Sequence, residues 1–576
     1  MILLYDIECF KYDWLVCVLD PYTGTFTDIS NDRWKLQAFY NKHKDDVWVS
    51  YNGRHYDKWI IKGILGGYDA YQINDFIINK RRNGWEFNSD LNKIPLYDYD
   101  AYQLNDGSLK GLESNMGLNI HETDVDFNID RKLTEEEMNL TIGYCHDDVL
   151  ALMNVFIERK ADFDAHMGLI NTFKLPLSYI SKTPVQLAAK ILECDWRDHD
   201  DEFDVDFVPT LQLDKYAYVK EWFIQKFQKC KEAGEYVKGG YLTTVAGTPT
   251  VFGFGGIHGC INKLHAKGLL VHVDVTSFYP TLSIVYNFLT RNSTQPQKYK
   301  EIYDTRVALK KAGKKKEQMS YKLVLNGSYG ISKDKLSIAH DGKMGNCICV
   351  NGQLLLLMLI ERLEKAFGTD IAFVNINTDG LIVQIPDTDK AWDLLDDICY
   401  GWEKDCKVSL EFDIISELWQ KDVNNYIFQF ANGKLERKGK WVQESTRLKN
   451  ELTIVNTALV EYMTNNVPVE KTILECNDPA LFMMTCKVSN KYECGFHNGE
   501  RLTDKVFRVY ASKNQKDDSL YKKKSNSDTK EKFGDVPDHL VIYNGALGGV
   551  TCDDIGIDKN WYVELAKKRL SVFYKD

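Results

Sequence analysis

Residues 373–385 read FVNINTDGLIVQI, an apolar segment, a short polar break and a second apolar segment. Asn, Asp and Gly tolerate positive φ, so the break NTDG predicts the turn of a β-hairpin. Asp379 is the only acid in this stretch. Its carboxylate serves either the turn alone or a metal site whose other ligands lie elsewhere in the chain.

The composition predicts a multidomain globular protein. The chain has 576 residues, too many for one hydrophobic core, with 44% apolar and 27% charged residues. Its start, MILLYDIECF, has no basic residue ahead of the apolar ones, and charges interrupt each apolar segment before about 20 residues. We therefore expect a cytoplasmic protein with no membrane partner. A net charge of −11 argues against a protein that coats nucleic acid, but it permits a local basic channel.

The 14 cysteines are scattered along the chain. Cys347 and Cys349 form the only close pair, and no second pair follows at zinc-ribbon spacing. Reduced thiols in the core are the expectation.

The pattern of apolar residues predicts an α/β region followed by an α+β region. The first third alternates strand-like and helical segments, and Thr134 with Glu137 predicts a capping box at the start of one helix. From residue 271 onward a strand, a helical pair and the hairpin follow, and the last 130 or so residues mix helices with basic loops. We place boundaries near residues 170 and 440. The lysine-rich segment 309–318 joins two helices, whereas 512–535 is polar enough for a mobile loop.

Four acids in the first third are candidates for one site. Asp6 and Glu8 lie two apart on a strand, so their side chains point to the same face. Alone, such a pair is typical of a solvated strand end. Asp57 follows a second strand, and Tyr144 and Asp148 are four residues apart on a helix, which lets the four carboxylates converge.

Four converging carboxylates need cations to offset their repulsion. Oxygen-only ligands suit Mg²⁺ or Mn²⁺. Two such ions about 3.5–4 Å apart hydrolyse a phosphodiester, one by generating hydroxide and the other by stabilising the leaving oxygen. Tyr144 is placed to orient the attacking water.

The order DxE, N-x3-Y-D and Y-x3-D resembles the three motifs of the DEDDy 3′–5′ exonuclease domain that precedes family B DNA polymerases. The resemblance implies that the four acids hold two ions and that Asn52 and Tyr56 contact single-stranded DNA. A lysine that some members place before the third motif has no clear counterpart in NIHETDVDF, residues 119–127.

A second set of candidates lies between residues 274 and 329. Asp274 ends the apolar strand GLLVHVDV, where it is either a helix cap or a metal ligand. The segments that follow predict two antiparallel helices that direct three cations into one cleft. Their polar side chains recur at helical spacing: Arg306 and Lys310, then Lys322, Asn326 and Tyr329.

These segments resemble the motifs of family B DNA polymerases in the order of that family. DVTSFYP is similar to DxxSLYP, YKLVLNGSYG to KxxxNSxYG, and NTDG to DTDS. The resemblance covers about the first 440 residues and implies an RNase H-like exonuclease domain followed by a right-hand polymerase. The implied domains are an exonuclease (1–170), a connecting region (171–270), palm (271–285 and 331–440), fingers (286–330), and thumb with the C-terminal region (441–576).

The resemblance also implies roles at the second site. Asp274, Val275 and Asp379 would hold two Mg²⁺ ions, with Mn²⁺ as a substitute. The triphosphate and the sugar would be bound by Arg306, Lys310, Lys322, Asn326, Ser277 and the steric gate Tyr279. The chain departs from the family at Asn377, where Asp is usual, and at Gly380 and Gly327, where Ser is usual.

Three further segments are candidates for DNA contact. Gly255 and Gly256 resemble a YxGG segment that contacts template, although glycine-rich turns are common. LERKGKWVQ combines Lys438 and Lys440 with Trp441, a mixture suited to phosphates and stacking. By resemblance, Tyr329 belongs to the same surface.

The expected partners are primer–template DNA, deoxynucleoside triphosphates and single-stranded DNA at the exonuclease site. The segment between Pro280 and Lys322 is too short for the insertion that supports protein priming, so we expect no terminal protein. A single chain with both activities resembles bacteriophage replication enzymes, and we expect a monomer. The alternatives are a protein-primed polymerase, a nuclease with a degenerate polymerase half, and a non-catalytic nucleic-acid-binding protein.

Overall fold

The computed structural model describes residues 1–104, 106–525, 527 and 529–574. These residues form two units, each with its own sheets and helices, so the expectation of a multidomain α/β protein is confirmed. Unit 1 comprises Met1–Ser181, Ser445–Ala458 and Val469–Leu565, and unit 2 comprises Lys182–Glu444, Leu459–Pro468 and Ala566–Asp576. The finer division into exonuclease, palm, fingers and thumb stays a prediction.

Unit 1 begins with a five-stranded sheet in the order β3-β2-β1-β4-β5. The central strand β1 is antiparallel to β2 and parallel to β4. The strands are β1 (Ile2–Cys9), β2 (Trp14–Asp20), β3 (Thr25–Ser30), β4 (Val47–Ser50) and β5 (Asp98–Asp100). The helices are α1 (Arg33–His43), α2 (Asp57–Gly66), α3 (Ala70–Ile78), α4 (Leu109–Asn115), α5 (Glu135–Glu158) and α6 (Lys160–Thr172).

Helix α5 packs on β1 and β2, and its start follows the sequence prediction. Thr134 accepts a hydrogen bond from the backbone N–H of Glu137, whose side chain accepts one from the backbone N–H of Thr134. This capping box satisfies two backbone donors that a helix start otherwise leaves unpaired. It also fixes the register of the polar residues one to three turns further along α5.

Unit 2 is built on a nine-stranded sheet in the order β14-β13-β12-β9-β11-β10-β8-β7-β6. Its strands are β6 (Tyr241–Val245), β7 (Thr248–Phe252), β8 (His258–Cys260), β9 (Leu264–Val275), β10 (Ala372–Ile376), β11 (Gly380–Gln384), β12 (Leu410–Asp422), β13 (Asn425–Phe430) and β14 (Leu435–Lys438). Its helices are α7 (Pro184–Ile191), α8 (Ala217–Ala233), α9 (Phe278–Val285), α10 (Pro296–Lys311), α11 (Glu317–Lys333), α12 (Gly342–Phe367) and α13 (Asp389–Cys406).

Two predicted features of unit 2 are confirmed. Strands β10 and β11 form the hairpin whose turn contains Asp379, and β11 pairs with β9. The lysine-rich segment joins α10 to α11. Asp274, however, is not a helix cap, because α9 begins at Phe278 and Ser277 occupies its N-cap position.

The C-terminal part of the chain contains more strands than the sequence pattern predicts. Two small sheets of unit 1, in the orders β15-β18-β21 and β17-β16-β19-β20, replace the expected basic loops. Their strands are β15 (Met484–Lys487), β16 (Tyr492–His497), β17 (Glu500–Leu502), β18 (Val506–Ala511), β19 (Tyr521–Lys524), β20 (Lys530–Lys532) and β21 (Leu540–Ile542). The remaining helices are α14 (Thr453–Asn465), α15 (Val469–Glu475), α16 (Cys552–Ile555) and α17 (Lys559–Leu570).

The prediction of a mobile loop over residues 512–535 is therefore wrong for its described residues, since β19 and β20 pair within it. Asn526 and Asp528 lie outside the described residues. The strands YKKK and KEK have no alternation of apolar and polar residues, so the sequence hides them, and cross-strand ion pairs such as Lys524 with Glu531 offset their charges.

Two helices are long and apolar enough to cross a membrane by length and composition, Glu135–Glu158 and Gly342–Asp370. In the second helix the uncharged segment is residues 344–360, so charges interrupt it after 17 residues, before the length of about 20 that a span requires. In that helix, 94% of the apolar window is buried inside the protein. Leu354 to Ile360 lie in the main core of unit 2, which explains their hydropathy by packing.

Candidate active sites

The acids of unit 1 lie where β1, α2 and α5 meet. Asp6 and Glu8 project from β1, and their ligand oxygens and the Cys145 sulfur all lie within 4.8 Å of one another. Asp57 is the first residue of α2 and is buried. Tyr144 and Asp148 are on successive turns of α5, as predicted.

The pKa values of these acids show that the four carboxylates sense one another. Burial and then repulsion from Asp148 raise the pKa of Asp6 to about 7. Burial and then Asp6 raise the pKa values of Glu8 and Asp57 well above their usual range. Burial also raises the pKa of Tyr144, with Asp148 the next cause, so the phenol lies in the same field. The structure thus brings the five predicted side chains together, and their roles stay predictions.

A lysine that the sequence pattern missed lies at this site. Lys110 of α4 donates hydrogen bonds to Asp148 Oδ1 at 2.8 Å and to Glu113 Oε2 at 2.9 Å. Its ammonium also lies 4.7 Å from the ring centroid of Tyr144. Residues 119–127 contain no lysine, and the cation that pairs with Asp148 comes instead from the short helix α4 upstream of them. The spacing of Lys110 and Glu113 on that helix was the available signal.

The loop after β4 holds the other two predicted residues. Asn52 is exposed and has a positive φ of 66°, a conformation that Asn adopts more readily than most residues. Its backbone N–H donates to Asp100 Oδ1 at 2.8 Å. The Tyr56 hydroxyl donates to Asn74 Oδ1 at 2.7 Å.

Asp98 and Asp100 of β5 add two buried acids, and burial raises the pKa of Asp98 to about 6.

The donor set of this site fits a hard divalent cation. Lys110 pairs with Asp148 and Glu113, and the charge of Lys58 acts on Asp98. The carboxylates outnumber these two lysines, and among the described residues Asp98 Oδ2 and Glu113 Oε1 are buried without a hydrogen-bond partner. Like charges held this close in a poorly solvated pocket destabilise the fold unless a cation or a proton compensates them. Oxygen ligands select Mg²⁺ or Mn²⁺ from the available ions.

Asp274 lies on β9, and Asp379 lies in the hairpin turn directly before β11, the strand that pairs with β9. Gly380, the residue after Asp379, is opposite Asp274 in the register of β11 with β9, and the Val275 N–H donates to the Asp379 carbonyl at 2.8 Å. A Cβ on Gly380 would stand 2.8 Å from the Val273 carbonyl oxygen and 3.2 Å from Asp274 Oδ1. The departure from Ser at this position therefore has a steric reason.

Repulsion between these acids is evident in Asp274. Burial raises its pKa to about 7, and Asp379 and then Glu411 are the next causes. Glu411 is a third acid that the sequence analysis missed, and β12 places it directly opposite Asp274. Only the pairing of β12 with β9 reveals it, because no motif contains it.

Two cations of α10 contact the strand ends that carry these acids. Lys310 Nζ donates to Glu411 Oε1 at 2.8 Å, and Arg306 Nη1 donates to Ser277 Oγ at 2.6 Å. Ser277 has a positive φ of 49°, a strained conformation for a residue with a side chain. Both predicted cations thus contact residues next to the acids: Lys310 contacts Glu411, opposite Asp274, and Arg306 contacts Ser277 just after β9.

Helix α11 presents the remaining predicted side chains. Asn326 is exposed and Lys322 is half-buried. The side chain of Lys322 makes no hydrogen bond or ion pair with the described residues. The Tyr329 ring lies 4.7 Å from that of Tyr279, and the Tyr279 hydroxyl is buried without a partner. Tyr279 packs against Gly352 of α12, where a Cβ would stand 3.3 Å from its ring.

Asn377 belongs to a chain of side-chain amides. Its Oδ1 lies 3.2 Å from His258 Nδ1, and its Nδ2 donates to Asn375 Oδ1 at 3.3 Å. Asn375 in turn donates to Gln420 Oε1 at 2.6 Å. A carboxylate at position 377 has no hydrogen to donate to Asn375, which gives the departure from Asp a structural reason.

The glycine pair before β8 has one structural constraint. Gly256 has a φ of 144°, and a Cβ there would stand 2.6 Å from Thr378 Oγ1 in the turn that carries Asp379. Gly255 is exposed, with nothing within 4 Å of the corresponding position. The close packing against this turn is enough to explain why residue 256 is a glycine, so no DNA contact is needed to explain it.

The basic and aromatic segment near residue 440 is partly occupied by intramolecular contacts. Cations lie near the Trp441 ring: Lys421 Nζ is 4.6 Å and Arg569 Cζ 5.3 Å from its centroid. Lys438 and Lys440 are exposed. The Trp441 ring thus already takes part in two cation–π contacts.

No family model matches the chain, and no curated protein matches it. Among solved structures, the chain is similar to the family B DNA polymerase from the hyperthermophilic archaeon Pyrobaculum calidifontis. The sequences are 11% identical, the match covers 99% of this chain and 77% of the other, and the TM-score is 0.43. This value is too low to establish a shared fold, so the function is argued from the residues of the two sites.

Proposed function

We propose that the chain is a template-directed DNA polymerase that adds deoxynucleotides to a primer 3′-hydroxyl, with a 3′–5′ proofreading exonuclease in unit 1. The observation that carries the polymerase proposal is the meeting of Asp274 and Glu411 on paired strands with Asp379 in the adjoining hairpin turn and the α10 cations Arg306 and Lys310 beside them. Phosphoryl transfer needs this combination, because both the triphosphate and its metal ions must be held. We propose a monomeric cytoplasmic enzyme of the bacteriophage type.

Different residues of unit 2 would bind the metal ions and the nucleotide phosphates. Asp274, Asp379 and Val275 would hold Mg²⁺, which when bound activates the primer hydroxyl and stabilises the leaving pyrophosphate. Arg306 and Lys310 bind and orient the β- and γ-phosphates.

Three side chains of α9 and α11 complete the nucleotide site. Lys322 adds a third cation for the phosphates, and Asn326 positions the nucleotide. Tyr279, held against α12 and Tyr329, closes the space that a ribose 2′-hydroxyl requires.

The residues of unit 1 suit hydrolysis of a primer end. The sheet order β3-β2-β1-β4-β5, with acids on the central strand, supports an RNase H-like site. Asp6, Glu8, Asp57 and Asp148 would hold the ions. Tyr144 orients the attacking water, and Lys110 offsets the charge of Asp148.

Nucleotide incorporation on a primed template tests the polymerase proposal. Asp274→Asn is expected to lower extension by at least about 10²-fold, a loss typical when a group that stabilises the transition state is removed. Asp396→Asn, an exposed acid on α13, is the matched control and should extend normally. Primers that only shorten in wild-type protein, whatever nucleotides are added, would contradict the proposal.

A further inference from the structure

A cysteine, an aspartate and a histidine meet beside the acidic site of unit 1. Cys17 lies on β2, Asp28 on β3 and His146 on α5, and their ligand atoms are all within 4.8 Å of one another. In the strand register, Cys17 is opposite Asp6 on one side and Asp28 on the other, so the three side chains form a row on one face of the sheet. Because α5 packs on that face, the cluster is formed by regular elements and not by a surface loop.

Contacts around the cluster hold its side chains in place. His146 Nε2 is 2.7 Å from Asp28 Oδ1, and the His146 ring stacks on Phe26 with centroids 3.8 Å apart and an interplanar angle of 16°. Cys17 is fully buried, whereas the side chains of Asp28 and His146 are 31% and 26% exposed. The sulfur thus forms the buried floor of the cluster, and the other two residues form its partly exposed rim.

We infer that Cys17, Asp28 and His146 bind one Zn²⁺ ion, with water in the fourth position. A thiolate, an imidazole and a carboxylate together form a donor set for Zn²⁺, whereas the neighbouring acids offer mainly oxygen. Tetrahedral Zn²⁺ with bonds of about 2.0–2.3 Å holds its ligand atoms roughly 3.3–3.8 Å apart. Small side-chain rotations bring atoms that lie within 4.8 Å to these distances.

The ion would connect the edge of the sheet to the helix of the acidic site. His146 lies between Tyr144 and Asp148 in the chain, so a ligand bond from it to β2 and β3 restrains that stretch of α5. Zn²⁺ here would be a second bound cation next to a magnesium site. The inference concerns binding alone and stands whether or not the proposed activity is found.

Cobalt substitution tests the site in the full-length protein. Metal-free protein is titrated with Co²⁺ in the presence of excess Mg²⁺, which occupies the oxygen ligands nearby. We expect one Co²⁺ per chain, with a near-ultraviolet sulfur-to-cobalt charge-transfer band and visible bands of a tetrahedral ion, all lost when Zn²⁺ is added. Zinc measured by mass spectrometry in untreated protein should approach one per chain.

Variants assign the ligands. Cys17→Ser should lose the charge-transfer band, and His146→Gln should weaken Co²⁺ binding by at least about tenfold. The second change is at a partly exposed position, so it remains informative if Cys17→Ser does not fold. Cys145→Ser, at the neighbouring thiol, and Cys399→Ser, in unit 2, should keep the band. Absence of the band in wild-type protein, unchanged binding in His146→Gln, or loss of the band in Cys145→Ser would each overturn the assignment.

Discussion

Asp6→Asn is expected to stabilise the metal-free protein while it removes exonuclease activity. Burial and repulsion from Asp148 raise the pKa of Asp6 from 3.8 to about 7. Above pH 4 the folded state keeps a proton that the unfolded chain has released, so this carboxyl makes the protein less stable as the pH rises towards 7. A difference of about 3 in pKa corresponds to an upper limit of about 4 kcal/mol at pH 8, and the amide avoids this destabilisation.

The pH dependence distinguishes this cause from a general packing effect. At pH 5 the carboxyl is almost fully protonated in the folded state, and the gain from Asp6→Asn should fall below about 2 kcal/mol. Urea unfolding in chelator, followed by circular dichroism at both pH values, measures the gain. Glu136→Gln, an exposed acid at the start of the same helix α5, is the control and should change little. A variant less stable than wild type at pH 8, or a gain as large at pH 5, would refute the reasoning.

Three further predictions address single contacts. Lys110→Met should lower the free energy of unfolding by about 3–5 kcal/mol in urea titrations, because it leaves Asp148 in a poorly solvated site without its cation; a change below 1 kcal/mol would contradict this. Gly380→Ala should slow primer extension in single-turnover assays, because the added methyl would stand 2.8 Å from the Val273 carbonyl oxygen. An unchanged rate would contradict this and show that β9 and β11 separate easily. Asn375→Leu should lower the free energy of unfolding by about 1–3 kcal/mol in the same urea titrations, because it leaves the buried Gln420 Oε1 without its donor. An unchanged free energy of unfolding would show that this chain of amides does not stabilise the fold.

The sequence predicts those parts of the structure that depend on local pattern. The hairpin at residues 373–385 and the capping box of α5 follow from turn chemistry and capping, which involve neighbours in the chain. The spacing of Tyr144 and Asp148 likewise places both on one helix face. These interactions need no information about distant segments.

Features that depend on pairing between distant segments were missed. Glu411 joins the second site because β12 pairs with β9, and Lys110 joins the first because α4 packs against α5. Three of the short strands between residues 484 and 542, β17, β19 and β20, consist mostly of charged residues and show no period of two. Each of these features depends on contact with a distant segment of the chain, which no local sequence pattern identifies.

The most direct test of the two-site account uses one labelled primer–template and two single variants. With Mg²⁺ and all four deoxynucleotides, Asp379→Asn should shorten the primer but not extend it. Asp6→Asn should extend the primer and, when nucleotides are withheld, should leave it intact. Extension by Asp379→Asn, or shortening by Asp6→Asn, would contradict the claim that each unit carries its own phosphoryl-transfer site.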